Sequence, residues 1–181
     1  MLIDHIDFRR ERPEDFDAID ELHRQAFGEE DVTRLVRALR AAEANLAPIS
    51  IVAEADDRVV GHVMLTAAYL DAPARLVDVM VLSPLATAES YRRRGIGAKL
   101  IARSLEAADR LRVPLVFLEG HPAYYGRHGF DQAEPLGFRR PSLRIPNEAF
   151  QVARLSSYED WMTGSFVYSE PFWKLDCVGL R

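Results

Sequence analysis

The stretch best suited to chemistry is Arg92-Arg93-Arg94-Gly95-Ile96-Gly97, three cations and two glycines in six residues. Ahead of it runs Leu76-Val77-Asp78-Val79-Met80-Val81-Leu82, an apolar, β-branched segment that reads as a mostly buried strand. Behind it Leu100, Ile101, Leu105, Ala108 and Leu111 recur at spacings of one, three and four among charged residues, which predicts a helix with one apolar face. A strand, a basic glycine loop and a helix suit a phosphorylated ligand; a basic turn that merely starts a helix is the other reading. The first helical turn has N–H groups without intrahelical partners and the positive end of the macrodipole. Glycines remove the Cβ atoms that would hold a ligand off those groups, and arginines add charge and forked donors.

The spacing excludes two common phosphate loops. A dinucleotide fingerprint needs a third glycine at position 100, where this chain has Leu100; a P-loop needs Gly-Lys followed by Ser or Thr, where it has Gly97-Ala98-Lys99-Leu100. The loop fits instead the pattern Arg or Gln, two residues, Gly, any residue, Gly or Ala. A second motif follows one helix and one apolar run, Pro114-Leu115-Val116-Phe117-Leu118, later. It is Tyr124-Tyr125-Gly126-Arg127-His128-Gly129-Phe130, with Tyr125 five residues before the Phe of a Gly-Phe pair.

With both motifs in this order the chain resembles the GCN5-related N-acetyltransferases (GNAT). The resemblance implies an α/β fold, the acyl-CoA N-acyltransferase (GNAT) fold: a mixed, mainly antiparallel sheet splayed at its centre and flanked by helices. It implies that the loop, Arg92, Arg93, Arg94, Gly95, Ile96, Gly97 and Ala98, holds the pyrophosphate of coenzyme A. The backbone of Leu85, Ala86 and Thr87 would meet the pantetheine arm, and an N–H there would face the thioester carbonyl of acetyl-CoA. Pro84 agrees from its own chemistry, since a strand containing proline lies at an edge, carries a bulge or splays from its neighbour. An ordinary strand end followed by a loop is the other reading of Ser83 to Thr87.

The implied reaction is attack of a primary amine, from a small molecule or a peptide, on the thioester. An alkyl amine is mostly protonated at neutral pH, so a base must take a proton, directly or through water. A backbone N–H suits the oxyanion of the tetrahedral intermediate. The resemblance gives Tyr125 the task of protonating the departing thiolate; Tyr124 is its rival, and a structural tyrosine is the alternative. Several relatives use a glutamate as base at the position that falls here on Val81, so the base must be sought elsewhere. Asp78 lies on the same strand, and Glu119 and His121 end the next one. Glu119 is the choice made here, because a carboxylate beside a buried cleft becomes more basic; a solvated strand end is the competing reading. An acyl-CoA sensor without turnover, or a transferase for another acyl-CoA, is compatible with the same coenzyme motifs.

Composition sets the frame. The chain has 181 residues, 48% of them hydrophobic, and a formal net charge of -5. That length suits one domain, residues 1–181, and that charge argues against nucleic-acid binding. Cys177 is the single cysteine and forms no intrachain disulfide, which points to a reducing compartment. The opening Met1-Leu2-Ile3-Asp4-His5 lacks the basic start and apolar stretch of a signal peptide, and no apolar run reaches membrane-spanning length. The expectation is a cytoplasmic protein with no membrane partner. His62 has no second ligand at metal spacing, so no metal is expected.

The remaining elements follow from pattern. A strand at 6–9 precedes a helix begun at Pro13 and ended by Gly28, and a second helix spans 31–43. These helices would shape the acceptor site, where Glu29, Glu30 and Asp31 either meet a cationic acceptor or simply cap a helix in solvent. Strands at 49–55 and 59–70 flank Asp56-Asp57-Arg58 as a hairpin. Alternation over 150–155 predicts a strand with one solvated face, and 165–168 predicts another. The stretch from Gly164 to Phe172 looks like the ending of a bacterial subgroup of acetyltransferases, so the resemblance covers nearly the whole chain. Trp161, Phe172 and Trp173 would pack in the core, line an acceptor pocket or support a homodimer. Cys177 reads as a buried or bystander thiol, not an acyl-carrying nucleophile.

Overall fold

The computed structural model describes residues 5–28 and 30–179. In chain order it contains β1 (Ile6–Arg10), α1 (Phe16–Phe27), α2 (Asp31–Ala41), β2 (Ile49–Ala55), β3 (Arg58–Asp71), β4 (Leu76–Thr87), α3 (Ile96–Arg110) and β5 (Leu115–Glu119). There follow α4 (Pro122–Tyr125), β6 (Asp131–Gln132), β7 (Phe138–Arg139), β8 (Phe150–Arg154), β9 (Gly164–Val167) and α5 (Glu170–Lys174). The described strands form one sheet ordered β1-β2-β3-β4-β5-β8-β6, with β9 joined to β3 and β7. Only β4–β5 and β7–β9 are parallel. This is the mixed, mainly antiparallel sheet expected from the sequence.

Local sequence explains the long central strands. Asp56 and Asp57 both take left-handed φ, 49° and 58°, and close a two-residue hairpin in which Ala55 faces Arg58. Along β4 the side chains alternate: Val77, Val79 and Val81 join one core cluster, while Met80 and Leu82 join the other. The first cluster packs Leu35, Val36 and Leu39 of α2 against the sheet, and the second packs Leu100, Ile101 and Ala108 of α3 against its opposite face. Phe117 sits in the first cluster, fully buried, with ring centroids of Phe138 and Phe150 at 5.3 and 5.5 Å.

The splay is a matter of register. β4 pairs with β3 from Leu76 to Thr87, but with β5 only at Met80↔Val116 and Val81↔Phe117. Between Leu65↔Leu82 and Val63↔Leu85, Ser83 and Pro84 stand opposite the single residue Met64. Pro84 therefore marks a bulge inside a continuous strand, not a strand end. Beyond Val81 the edge of β4 loses β5, whose last residues pair with β8 instead (Leu118↔Gln151, Glu119↔Phe150).

Three local expectations are corrected. β8 is buried on both faces from Phe150 to Ala153, because Phe150 and Val152 pack into one core cluster and Ala153 into the other. α2 stops at Ala41, two residues before Glu43. Leu111 falls outside α3 and is exposed, because the chain turns away through Arg112 at φ 58°. Among the described residues no helix is long and apolar enough to cross a membrane.

Candidate active site

Two cavities meet where the strands part. The first, about 520 Å³, lies over the loop that starts α3. Leu85, Ala86 and Thr87 form one wall, and Arg92, Arg93, Gly95, Ile96, Gly97 and Ala98 another. Arg93 and Gly95 both adopt left-handed φ, 61° and 78°, so the loop doubles back and turns its backbone toward the cavity. Arg94 is the exception among the expected loop residues. The left-handed turn at Arg93 sends it to the other side, where its guanidinium covers the Tyr91 ring at 4.8 Å and faces a neighbouring hollow with His5, Phe8 and Lys99.

The second cavity, about 410 Å³, occupies the other side of the splay. Its walls are Val32 and Leu35 of α2, Leu82 to Leu85 of β4, and Phe172 of α5; Asp31, Glu119, Tyr168, Asp176, Cys177 and Gly179 supply the polar lining. Among the described residues no lysine, arginine or histidine lines it, whereas the first cavity has two arginines and no acid. Phe27, Leu85 and Tyr125 belong to both. Glu29 lies outside the described residues; Glu30 pairs with Arg24 at 2.9 Å, and Asp31 lines the second cavity.

The two tyrosines separate cleanly. α4 begins at Pro122 and lasts four residues, so consecutive side chains diverge by roughly 100°. Tyr125 is directed to the junction of the cavities, and its ring lies so close to Gly120 that a Cβ there would stand 2.3 Å from Cε2. Burial, reinforced by Tyr124, pushes its hydroxyl up to about 12. Tyr124 lines only the first cavity, with Oη above Gly97.

Glu119 is half-buried at the end of β5, which rules out the solvated reading. Tyr168 Oη donates to its Oε1 at 2.5 Å and the Gly179 N–H donates to the same oxygen at 3.2 Å. Burial raises its pKa, against the opposing pull of Tyr168, Gly179 and the more distant Arg144. The other candidates for a base do not share this position. Val81 is buried; Asp78 is exposed, with Asn45 Nδ2 donating to it at 3.4 Å; His121 is exposed and lines neither cavity.

Sequence order hid several parts of the site. Cys177, distant from both motifs, packs half-buried against the first core cluster and lines the second cavity beside Tyr168 and Tyr125. Phe172 is buried and serves both core and cavity; Trp161 packs against the core; Trp173 is partly exposed and its Nε1 donates to the Tyr168 carbonyl at 3.2 Å. His62 is not solitary: its Nδ1 lies 2.8 Å from Nε2 of His23 on α1. Nothing in a spacing of 39 residues signals that contact. Among the described residues no group of three or more side chains is arranged to hold a metal ion.

Comparison with known proteins fits this architecture. Residues 7–133 match the sequence model of the acetyltransferase (GNAT) domain. The uncharacterized N-acetyltransferase YjhQ of Escherichia coli is 29% identical over 94% of this chain and 96% of its own, and the uncharacterized N-acetyltransferase YhbS is 32% identical over 91% and 96%. The crystal structure of YhbS from E. coli in complex with CoA superposes with a TM-score of 0.84 at 28% identity, covering 95% of this chain and 94% of that one. A GNAT family acetyltransferase from Brucella melitensis in complex with acetyl-CoA gives 0.74 at 26% identity, covering 93% and 98%. The motif pair, the splayed strands and these matches agree, and the chain belongs to the GNAT acetyltransferase family.

Proposed function

We propose that the protein transfers the acetyl group of acetyl-CoA to a primary amine by direct attack, with donor and acceptor entering from opposite cavities. The observation that carries this reading is the junction: a basic cavity and an acidic one share Tyr125 and the Leu85 edge of β4. The solved relative from E. coli carries CoA, and the one from Brucella melitensis carries the donor acetyl-CoA. Its pyrophosphate fits the N-terminus of α3 with Arg92 and Arg93, and its pantetheine arm fits along Leu85, Ala86 and Thr87.

The steps follow from the residues around the junction. Glu119 takes a proton from the acceptor ammonium, and the free amine attacks the thioester carbon. An N–C bond forms and the carbonyl electrons move to oxygen, where a β4 backbone N–H freed of strand pairing stabilises them. Collapse breaks the C–S bond. Tyr125 gives its proton to the sulfur, the surplus proton on nitrogen returns to the phenolate, and Glu119 releases its own to solvent. The acidic second cavity favours a cationic acceptor, a small amine or a peptide amine, over an anionic one.

Thiol release from acetyl-CoA, measured across a panel of amines and peptides, tests the reading. Turnover should require an acceptor, fall sharply in Tyr125→Phe and be lost in Gly95→Glu. Tight acetyl-CoA binding with no turnover on any amine would make the protein a sensor and overturn the proposal, as would failure of the folded protein to bind acetyl-CoA.

A further inference from the structure

We infer that Tyr168 is a positioning residue for Glu119, so that the base is completed by the segment beyond β9 and not by the family-matched region alone. The inference rests on the reading of Glu119 as the base. The matched region ends at residue 133, yet among the described residues both hydrogen-bond donors to Glu119 come from later in the chain, Tyr168 and Gly179. Both donate to Oε1. One oxygen is thereby fixed, and the other is left as the acceptor for an amine proton.

Tyr168 is held firmly enough for this task. Its ring is buried, with the Phe172 and Phe166 centroids at 4.5 and 4.8 Å, and its carbonyl accepts from Trp173 Nε1. The strand just before it is anchored to β3 through Tyr69↔Val167 and Leu70↔Phe166. The groups around Glu119 are few. Asp31 from α2, Tyr125 from α4, and Asp176 and Cys177 from the stretch after α5 line the same cavity, and Arg144 bonds Asp176 at 2.5 Å. Of the groups that act directly on the carboxylate, the Tyr168 hydroxyl is the strong donor. It favours the ionised form, which offsets the effect of burial and keeps a desolvated carboxylate able to accept a proton at neutral pH.

The test is the pH dependence of kcat/KM for the acceptor at saturating acetyl-CoA, in wild type, Tyr168→Phe, Glu119→Gln and the double variant. Tyr168→Phe keeps the packed ring, so its melting temperature should stay near that of wild type. Its acidic limb should move up by about one pH unit, with acetyl-CoA affinity unchanged. In the Glu119→Gln background the limb should be absent and Tyr168→Phe should add nothing, the non-additivity expected of two residues acting as one unit. An unmoved limb in Tyr168→Phe, with Glu119→Gln still impaired, overturns the positioning role alone. An unchanged profile in Glu119→Gln overturns Glu119 as base, and this inference with it.

Discussion

His62 Nδ1 lies 2.8 Å from His23 Nε2, edge to face with ring centroids 5.0 Å apart, and neither imidazole is exposed. The pair ties β3 to α1, and its surroundings extend it. Ser50 Oγ lies 2.8 Å from His62 Nε2 and Glu11 Oε2 lies 3.5 Å from it, while Arg40 of α2 donates to both Glu11 oxygens. His23 stacks on Phe27 at 5.8 Å, and Phe27 lines both cavities. A polar chain thus runs from Arg40 and Glu11 through His62 to His23, whose ring stacks on Phe27 at the edge of both cavities.

Both rings are kept neutral by burial, which lowers the His62 pKa and takes His23 down to about 3. The unfolded chain binds those protons near pH 6.5, so the stability they contribute is present above pH 6.5 and is lost as pH falls below it, down to about 3 for His23. Each histidine should remove about 1.4 kcal/mol per pH unit in that window. Glu11 acts lower. Burial pushes its carboxyl up, but hydrogen bonds from His62, Arg40 and Ser50 outweigh this and hold it at about 2, so its contribution fades only below about pH 4.5. Denaturant unfolding between pH 7 and 5 should therefore show a steep loss that His23→Gln roughly halves; a flat profile in wild type would contradict the buried neutral pair.

Tyr125→Phe should lower kcat about 100-fold, the lower end of what a positioned acid supplies, without changing the affinity for acetyl-CoA. Tyr124→Phe should do the reverse, because Tyr124 touches only the first cavity. With the Tyr125 hydroxyl held at about 12, kcat should show no decline from its ionisation up to pH 10. Steady-state kinetics beside calorimetric titration of acetyl-CoA would separate the two tyrosines.

The glycines of the loop should fail for different reasons. At Gly95 a Cβ meets no neighbour within 4 Å, but φ is 78°, so Gly95→Ala costs about 1–2 kcal/mol of backbone strain. At Gly97 a Cβ would stand 2.5 Å from Tyr124 Oη, so Gly97→Ala must displace that ring. Thermal unfolding should register Gly95→Ala more strongly than Gly97→Ala, and acetyl-CoA binding should weaken in both. Equal affinity to wild type in Gly97→Ala would argue against close approach of the ligand at that turn.

The lining of the second cavity sets a charge preference. Asp31, Glu119 and Asp176 face it, and among the described residues no cation lines it, although Asp176 shares its charge with Arg144. An α,ω-diamine should exceed the ω-amino acid of equal length in kcat/KM by about tenfold or more, roughly 1.4 kcal/mol, and Asp31→Asn should narrow the gap. The opposite order in competition assays would show that the acceptor carries an anion into the site.

The basic glycine loop, the central strand irregular at its proline, the helix behind the loop and the offset of Tyr125 were all legible in the sequence. Each depends on contacts within a few residues: a left-handed glycine, a missing proline N–H, a helical repeat, a fixed offset from Gly129-Phe130. Arg94 already shows the limit, since one left-handed residue at Arg93 turned it away from the cavity. What only the tertiary structure decided is what lies beside what. His62 found His23 across 39 residues, Glu119 found Tyr168 and Gly179 across 49 and 60, and Cys177 came to line the cavity beside Tyr125. The physical reason is that such contacts are set by strand order and helix packing. Periodicity along the chain states which face a residue occupies, whereas the fold alone states which other face it meets.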